Sequence, residues 1–193
     1  MNKGKETRKR ILKESRKLFT VRGFQNTSVS EIIAVTGVKK GNLYYHFPSK
    51  EELGIAVLLD AAQEFSVILD RSLSGDDPME KIITSCQAIM ELMQQTHFVG
   101  GCLFGNTALE MSGINPRFGE ILQDVFGLWT KKLRTELQKA EESGQLSGKL
   151  TVDALATSIV AILEGGIMLS RVYENRQALE QCIRTIKTLL EPE

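Results

Sequence analysis

Within the stretch SVSEIIAVTGVKKGNLYYHFPSK, Ser28 to Lys50, the residues Lys39, Lys40, Asn42, Tyr44, Tyr45 and His46 gather cationic, amide, phenol and imidazole groups. Ammonium groups and phenol hydroxyls bind phosphate oxygens. The Asn42 amide and His46 imidazole can reach base edges or the backbone. Leu43 and Phe47, spaced i, i+4, would anchor such a helix to a core and leave the polar groups on its remaining faces. This chemistry is recognition of a polyanion, not bond making.

A helix that presents such groups must be held, and the residues before it supply the means. Ser28 followed three residues later by Glu31 is a capping box, which starts a helix with Ile32, Ile33 and Val35 on its buried side. Thr36-Gly37-Val38 then breaks it, Gly37 supplying the positive φ that a tight turn between crossing helices requires. A second short helix begins near Lys39, and the pair forms a helix-turn-helix. Upstream, a helix from about Gly4 to Val21 turns Ile11, Leu12, Ser15, Leu18 and Phe19 inward and Lys and Arg outward.

Charge divides the chain in the same way. Residues 1–50 hold twelve Lys and Arg against three Asp and Glu, a net of +9, and the rest carries −9, so the chain is neutral overall but strongly polarised. A +9 segment draws in duplex DNA, a dense line of negative charge, while an acidic body discourages wrong docking.

The run Gly41-Asn42-Leu43-Tyr44-Tyr45-His46-Phe47, followed by Ser49-Lys50-Glu51-Glu52-Leu53, resembles the N-terminal domain of TetR-family transcriptional regulators. So do Arg10-Ile11-Leu12, Leu18-Phe19, Gly23-Phe24 and Thr27-Ser28-Val29. The resemblance covers about fifty residues. It implies an all-α homodimer: an N-terminal three-helix helix-turn-helix DNA-binding domain, residues 1–48, and a C-terminal helical effector-binding and dimerisation domain, residues 49–193. It also places Thr27, Ser28, Asn42, Tyr44, Tyr45 and His46 near DNA, and Gly41 is counted with them as a candidate DNA-binding residue. Lys39 occupies a position where the family varies, which makes it and Asn42 the choices for sequence selection. Lys40 and Lys50 are assigned to phosphates.

The remaining chain reads as helices. Ser49 and Glu52 form a second capping box opening a long helix to about Leu73, a candidate lever between the two domains. Asp77-Pro78 opens the next, to about Thr96. After a glycine-containing loop at Val99 to Cys102, helices are expected over Leu103 to Met111, from Pro116 to about Ser143, from Thr151 to about Tyr173, and over Ala178 to Leu190. Ser143 to Gly148 is a break. No β pattern or repeat is visible.

The body offers two functional surfaces. Met90, Met93, Phe98, Phe104, Met111, Phe118, Phe126, Trp129 and Met168 could line a cavity for a small-molecule effector. Among them His97, Asn106, Glu110 and Glu164 would cost free energy if buried without partners, and Glu110 or Glu164 could select a cationic effector. The other surface is a dimer interface. Ile159, Ile162, Leu163 and Gly166 on one helix, with Leu179, Ile183 and Ile186 on the last, could form a four-helix contact between subunits. That symmetry would present two heads to a pseudo-palindromic operator, about one turn of DNA apart, roughly 34 to 36 Å.

Other functions find little footing. Only His46 and His97 are histidines, and no nucleophile elbow, zinc-protease, P-loop or dinucleotide motif occurs, so no catalytic residue, metal or cofactor is assigned. Cys86, Cys102 and Cys182 are odd in number and widely spaced, which suits reduced thiols. The start has no secretory character and the best apolar run, Leu155 to Leu169, is interrupted by Thr157, Ser158 and Glu164, so a cytoplasmic chain with no membrane partner is expected. The expectation is therefore a ligand-responsive repressor binding double-stranded DNA. The rival readings are a sequence-tolerant architectural or partner-binding protein on the same fold, and a small-molecule-binding protein with a vestigial head.

Overall fold

The computed structural model describes residues 3–146 and 148–191. Met1, Asn2 and Ser147, on which parts of the reading above fall, lie outside the described residues. Among the described residues there are nine helices and no strand, so the all-α expectation holds: α1 (Lys3–Arg22), α2 (Val29–Thr36), α3 (Lys40–His46), α4 (Lys50–Ser72), α5 (Pro78–Gln94), α6 (Leu103–Met111), α7 (Pro116–Glu142), α8 (Val152–Tyr173) and α9 (Gln177–Leu190).

The contacts divide the chain into two compact units. One runs to Gln63 and includes Cys102–Gln123; the other comprises Glu64–Gly101 and the chain from Asp124 onward. Contacts thus group α6 with the first three helices, across a sequence gap that no local pattern reveals.

In the first unit the core is built on α1, where Ile11, Leu12, Ser15 and Phe19 are buried at the i, i+4, i+8 spacing of one helix face. Leu18, expected inward, is only half-buried. Phe24 stacks edgewise on Phe19 with centroids 5.2 Å apart and leans on Phe118 at 5.0 Å. Each such fully buried side chain contributes about 1.5–3 kcal/mol. Gly54 on α4 lies beneath this cluster, and a Cβ there would come within 2.8 Å of the Phe118 ring.

The second unit shows how its sequence closes its own helix ends. Asp77 Oδ1 accepts the Glu80 N–H at 2.8 Å with Pro78 opening α5, and Gln145 donates to Asp77 Oδ2 at 2.8 Å. The buried Glu136 on α7 accepts from Lys81 at 3.1 Å and from Lys139 at 2.7 Å. Burial works against the Glu136 charge, but these two ammonium groups outweigh it and hold its pKa below the ordinary value. Gly166 lets α9 lie close to α8, since a Cβ there would meet Leu179 and Cys182 at 3.0 Å. Arg176 offers α9 no side-chain cap, so Ser170 Oγ on α8 accepts the Leu179 N–H at 3.0 Å and satisfies an otherwise orphaned amide.

One expectation is revised here. By length and composition α8 is apolar enough to cross a membrane over Val152–Tyr173. Its Leu155, Ala156, Ile159, Val160, Leu163, Gly166, Ile167 and Ser170 are instead buried within the unit, which gives the apolar composition an ordinary cause.

Candidate nucleic-acid interface

The helix-turn-helix forms as its residues dictate. Ser28 Oγ accepts the Glu31 N–H at 3.2 Å, and Glu31 Oε2 accepts the Ser28 N–H at 2.7 Å, a complete capping box. The backbone N–H of Ser28 is the main reason the Glu31 pKa is held below the ordinary carboxylate value, and Arg22, ion-paired with Glu31, adds to it. Gly37 ends α2 at φ 65° and donates its N–H to Ile33 O. The buried face of α2 is Ile32 and Thr36, spaced i, i+4; Val35, expected inward, is exposed, because it lies off that face.

On α3 the anchors are as read. Leu43 and Phe47 are each 3% exposed, and Phe47 closes the helix by donating its N–H to Leu43 O at 2.9 Å. Around them Lys39, Lys40, Gly41, Asn42, Tyr44 and Tyr45 are exposed and His46 is half-exposed. Tyr45 is the most open of the aromatic groups at 83% exposure, its ring 5.2 Å from that of His46. This large aromatic side chain is thus held out of the core, on the same short helix as Lys40 and Asn42. Ser28 is exposed at the α2 cap.

Two members of the sequence-derived set sit differently. Thr27 is fully buried and its hydroxyl donates to Gly23 O at 2.7 Å, so its side chain shapes the α1–α2 turn and does not face a ligand. Lys50 is half-buried: its ammonium donates to Gln25 O at 3.2 Å and lies 4.5 Å over the Phe24 ring. Desolvation there pulls its pKa down, opposed by Glu51, Glu110 and Glu31. The second capping box is half made: Glu52 N–H reaches Ser49 Oγ at 3.1 Å, but the Glu52 carboxylate is taken by Arg117, which holds its pKa low.

The residues named for an effector cavity fall in both units. Phe104, Asn106, Glu110 and Met111 belong to the first, and Met90, Met93, Phe98, Phe126, Trp129 and Met168 to the second. Asn106 donates to Thr20 O at 3.2 Å and Glu110 accepts the Gln25 N–H at 2.8 Å, so both polar groups are engaged with the α1–α2 region. The Glu110 carboxylate is thus engaged by a backbone amide of the α1–α2 turn. Phe118 packs on Phe24. Met90, Met93, Phe98 and Trp129 are buried, with Trp129 edgewise on Phe65 at 5.2 Å, and Phe126 is half-buried. Met168 is 57% exposed and lines no interior. His97 is exposed in a left-handed turn at φ 51°, and Glu164 is half-buried. The second unit does present a groove of about 430 Å³ between α5 and α9, lined by Met79, Glu80, Ile83, Thr84, Gln87, Lys187, Leu190 and Glu191. None of these was named from the sequence, since a groove between distant helices leaves no local pattern.

The residues named for a dimer interface divide by their burial within one chain. Ile159, Leu163, Gly166, Leu179 and Ile186 are buried within one chain, and Ile162 and Ile183 are half-buried. Of these, Gly166 and Leu179 meet where α8 packs on α9 inside the protomer. The apolar groups that α8 leaves outside are Met168, Leu169, Val172 and Tyr173, with Leu189 on α9. Periodicity shows that a helix has apolar faces but not which of them the neighbouring helix covers.

A capped helix, a glycine turn and a short basic and aromatic helix anchored by two apolar residues define a helix-turn-helix DNA-binding protein. The chain belongs to the TetR family: residues 11–57 match the bacterial regulatory proteins of the tetR family, and residues 78–186 match the tetracyclin repressor-like C-terminal domain. It is similar to the HTH-type transcriptional repressor DhaR of Mycobacterium sp. (strain GP1), 29% identical over 96% of this chain and 92% of that protein. It is also similar to the HTH-type transcriptional regulator LmrA of Bacillus subtilis, 27% identical over 96% of this chain and 97% of that one. Among solved structures, a TetR transcriptional regulator from Chloroflexus aurantiacus superposes with a TM-score of 0.88 at 34% identity, covering 97% of this chain and 96% of the other. The protein is therefore an HTH-type transcriptional regulator of this family, in which ligand-responsive DNA binding is characteristic.

Proposed function

We propose that the chain is a repressor that holds a two-fold-symmetric operator as a homodimer in the cytoplasm and is released from it by a small molecule. The observation that carries this reading is the exposed face Lys39, Lys40, Asn42, Tyr44, Tyr45 on a helix fixed by Leu43 and Phe47, in a segment of net charge +9. Lys40 neutralises phosphates, Ser28 and the tyrosine hydroxyls bind the backbone, and Lys39, Asn42 and His46 select sequence. Functionally, residues 1–48 bind DNA and residues 49–193 take the effector and dimerise. The repressor assignment of DhaR supports the direction of regulation.

The effector acts only through a difference in affinity. It must favour the non-binding form by about 1–3 kcal/mol to weaken operator binding 5- to 150-fold. The carrier of that difference is α4, a single helix that begins three residues after Phe47 and continues past Gln63 into the second unit.

The experiment is selection of bound duplexes from a random DNA pool at near-physiological salt, with affinities of the winners then titrated against salt. Enrichment of a two-fold-symmetric site is the expected result. Binding without enrichment would point to a sequence-tolerant architectural protein, and no binding to a ligand-binding protein with a vestigial head.

A further inference from the structure

Arg8 lies on α1, outside every group of residues discussed so far, and its guanidinium carbon stands 5.0 Å from the centroid of the Phe47 ring. Phe47 is the residue that closes α3, directly after His46, whose ring is 6.4 Å away and which in turn touches Tyr45. A cation thus sits at the end of the row Tyr45, His46, Phe47. We infer that Arg8 is a further DNA-contacting residue, a backbone-phosphate ligand that α1 adds to the surface of α3.

Three observations carry this assignment. Arg8 is exposed and has no carboxylate partner among the described residues, so its charge is not spent inside the protein. By contrast Lys17 and Arg22 on the same helix are paired with Glu14 and Glu31. Attraction to a ring face uses none of the guanidinium N–H donors, so all five remain for an incoming oxyanion. The ring also restricts a side chain that would otherwise lose much rotamer freedom on binding, which lowers the cost of making the contact. An arginine placed this way is suited to bidentate phosphate binding, where a lysine would act as a point charge.

The inference rests on the DNA-binding reading, and the test separates the two. Binding of a fluorescent mixed-sequence duplex of about 30 bp is titrated from low to high salt for the unmodified chain, Arg8→Met, Arg8→Gln and Arg8→Lys. Thermal unfolding is followed for each. Arg8→Met keeps an apolar cover on Phe47 without charge. The expected result is that Arg8→Met and Arg8→Gln both reduce the magnitude of the slope of log affinity against log salt by about one unit while unfolding as the unmodified chain does. Arg8→Lys is expected to keep the slope. Neutral variants with an unchanged slope would overturn the assignment, whether or not unfolding shifts, because a residue that only packs on Phe47 carries no counterion signature. Absence of any salt-dependent binding by the unmodified chain would overturn the DNA-binding reading itself.

Discussion

The carboxylate of Glu110 accepts the backbone N–H of Gln25 at 2.8 Å, and the Gln25 side-chain amide returns a hydrogen bond to Glu110 O at 3.0 Å. Through this pair α6 grips the α1–α2 turn, one turn of chain ahead of the capping box at Ser28. Gly23 completes the fit: it has φ +87°, and a Cβ there would collide with Glu110 Oε1. The turn is shaped around this carboxylate as much as around its own backbone.

That relationship is open to a double-mutant cycle. Gly23→Ala is expected to destabilise the chain by about 1–3 kcal/mol, from left-handed strain together with the collision. Glu110→Ala should cost about 1 kcal/mol through the lost amide bond. The double variant should be less destabilised than the sum, because removing the carboxylate relieves the collision. Urea unfolding of the four proteins measures this, and strict additivity would show that the two residues do not share a constraint.

Ser15 is fully buried on α1 and its hydroxyl has no hydrogen-bond partner. A buried unsatisfied hydroxyl costs free energy without return, so Ser15→Ala should raise stability by about 1 kcal/mol. The urea midpoint reads this directly. A fall would mean that the hydroxyl makes a bond in solution.

The outer apolar strip of α8 can be tested against its inner face. Val172, 68% exposed, should tolerate Glu in the folded protomer while the dimer is lost, seen as a halved mass in sedimentation and weakened binding to a symmetric site. Leu163, 1% exposed, should not tolerate Glu, since a buried unpaired charge unfolds the unit. A Val172→Glu chain that stays dimeric would move the interface elsewhere.

Burial pushes the Cys86 thiol up from 9.0 to about 12. Its folded pKa therefore lies above the unfolded one, so the unfolded chain releases this proton first as pH rises. The contribution of the neutral thiol to stability is full below about pH 9 and declines towards pH 12. Cys86→Ser, lacking this ionisation, should show a shallower loss of unfolding free energy over that window. Native Cys86 should also resist alkylation at pH 8 while the half-exposed Cys102 reacts, with Cys182, whose thiol burial also pushes up, reacting more slowly than Cys102.

Much of the head was legible from its residues because its signals are local. A cap and its partner lie three residues apart, a glycine turn is one residue, and Leu43 with Phe47 need only one helical turn to declare a buried side. The surface set Lys39 to Tyr45 follows from those anchors by exclusion. The surroundings of Lys50 and Thr27, namely Gln25, Phe24 and Gly23, were not legible, since they depend on how the turn folds back on itself.

By itself the sequence determined an all-α chain, its helix boundaries to within a few residues, a helix-turn-helix with its exposed polar face, and a family. These rest on short-range geometry and on charge, which add along the chain. Only the tertiary structure decided that Glu110 belongs to the head, that Ile159, Leu163 and Leu179 seal one protomer, that Met168 and Val172 face outward, and that Arg8 stands over Phe47. Each of these turns on which helix covers which face. An amphipathic pattern states only that a face will be covered, and the choice of partner is made by packing between segments far apart in sequence.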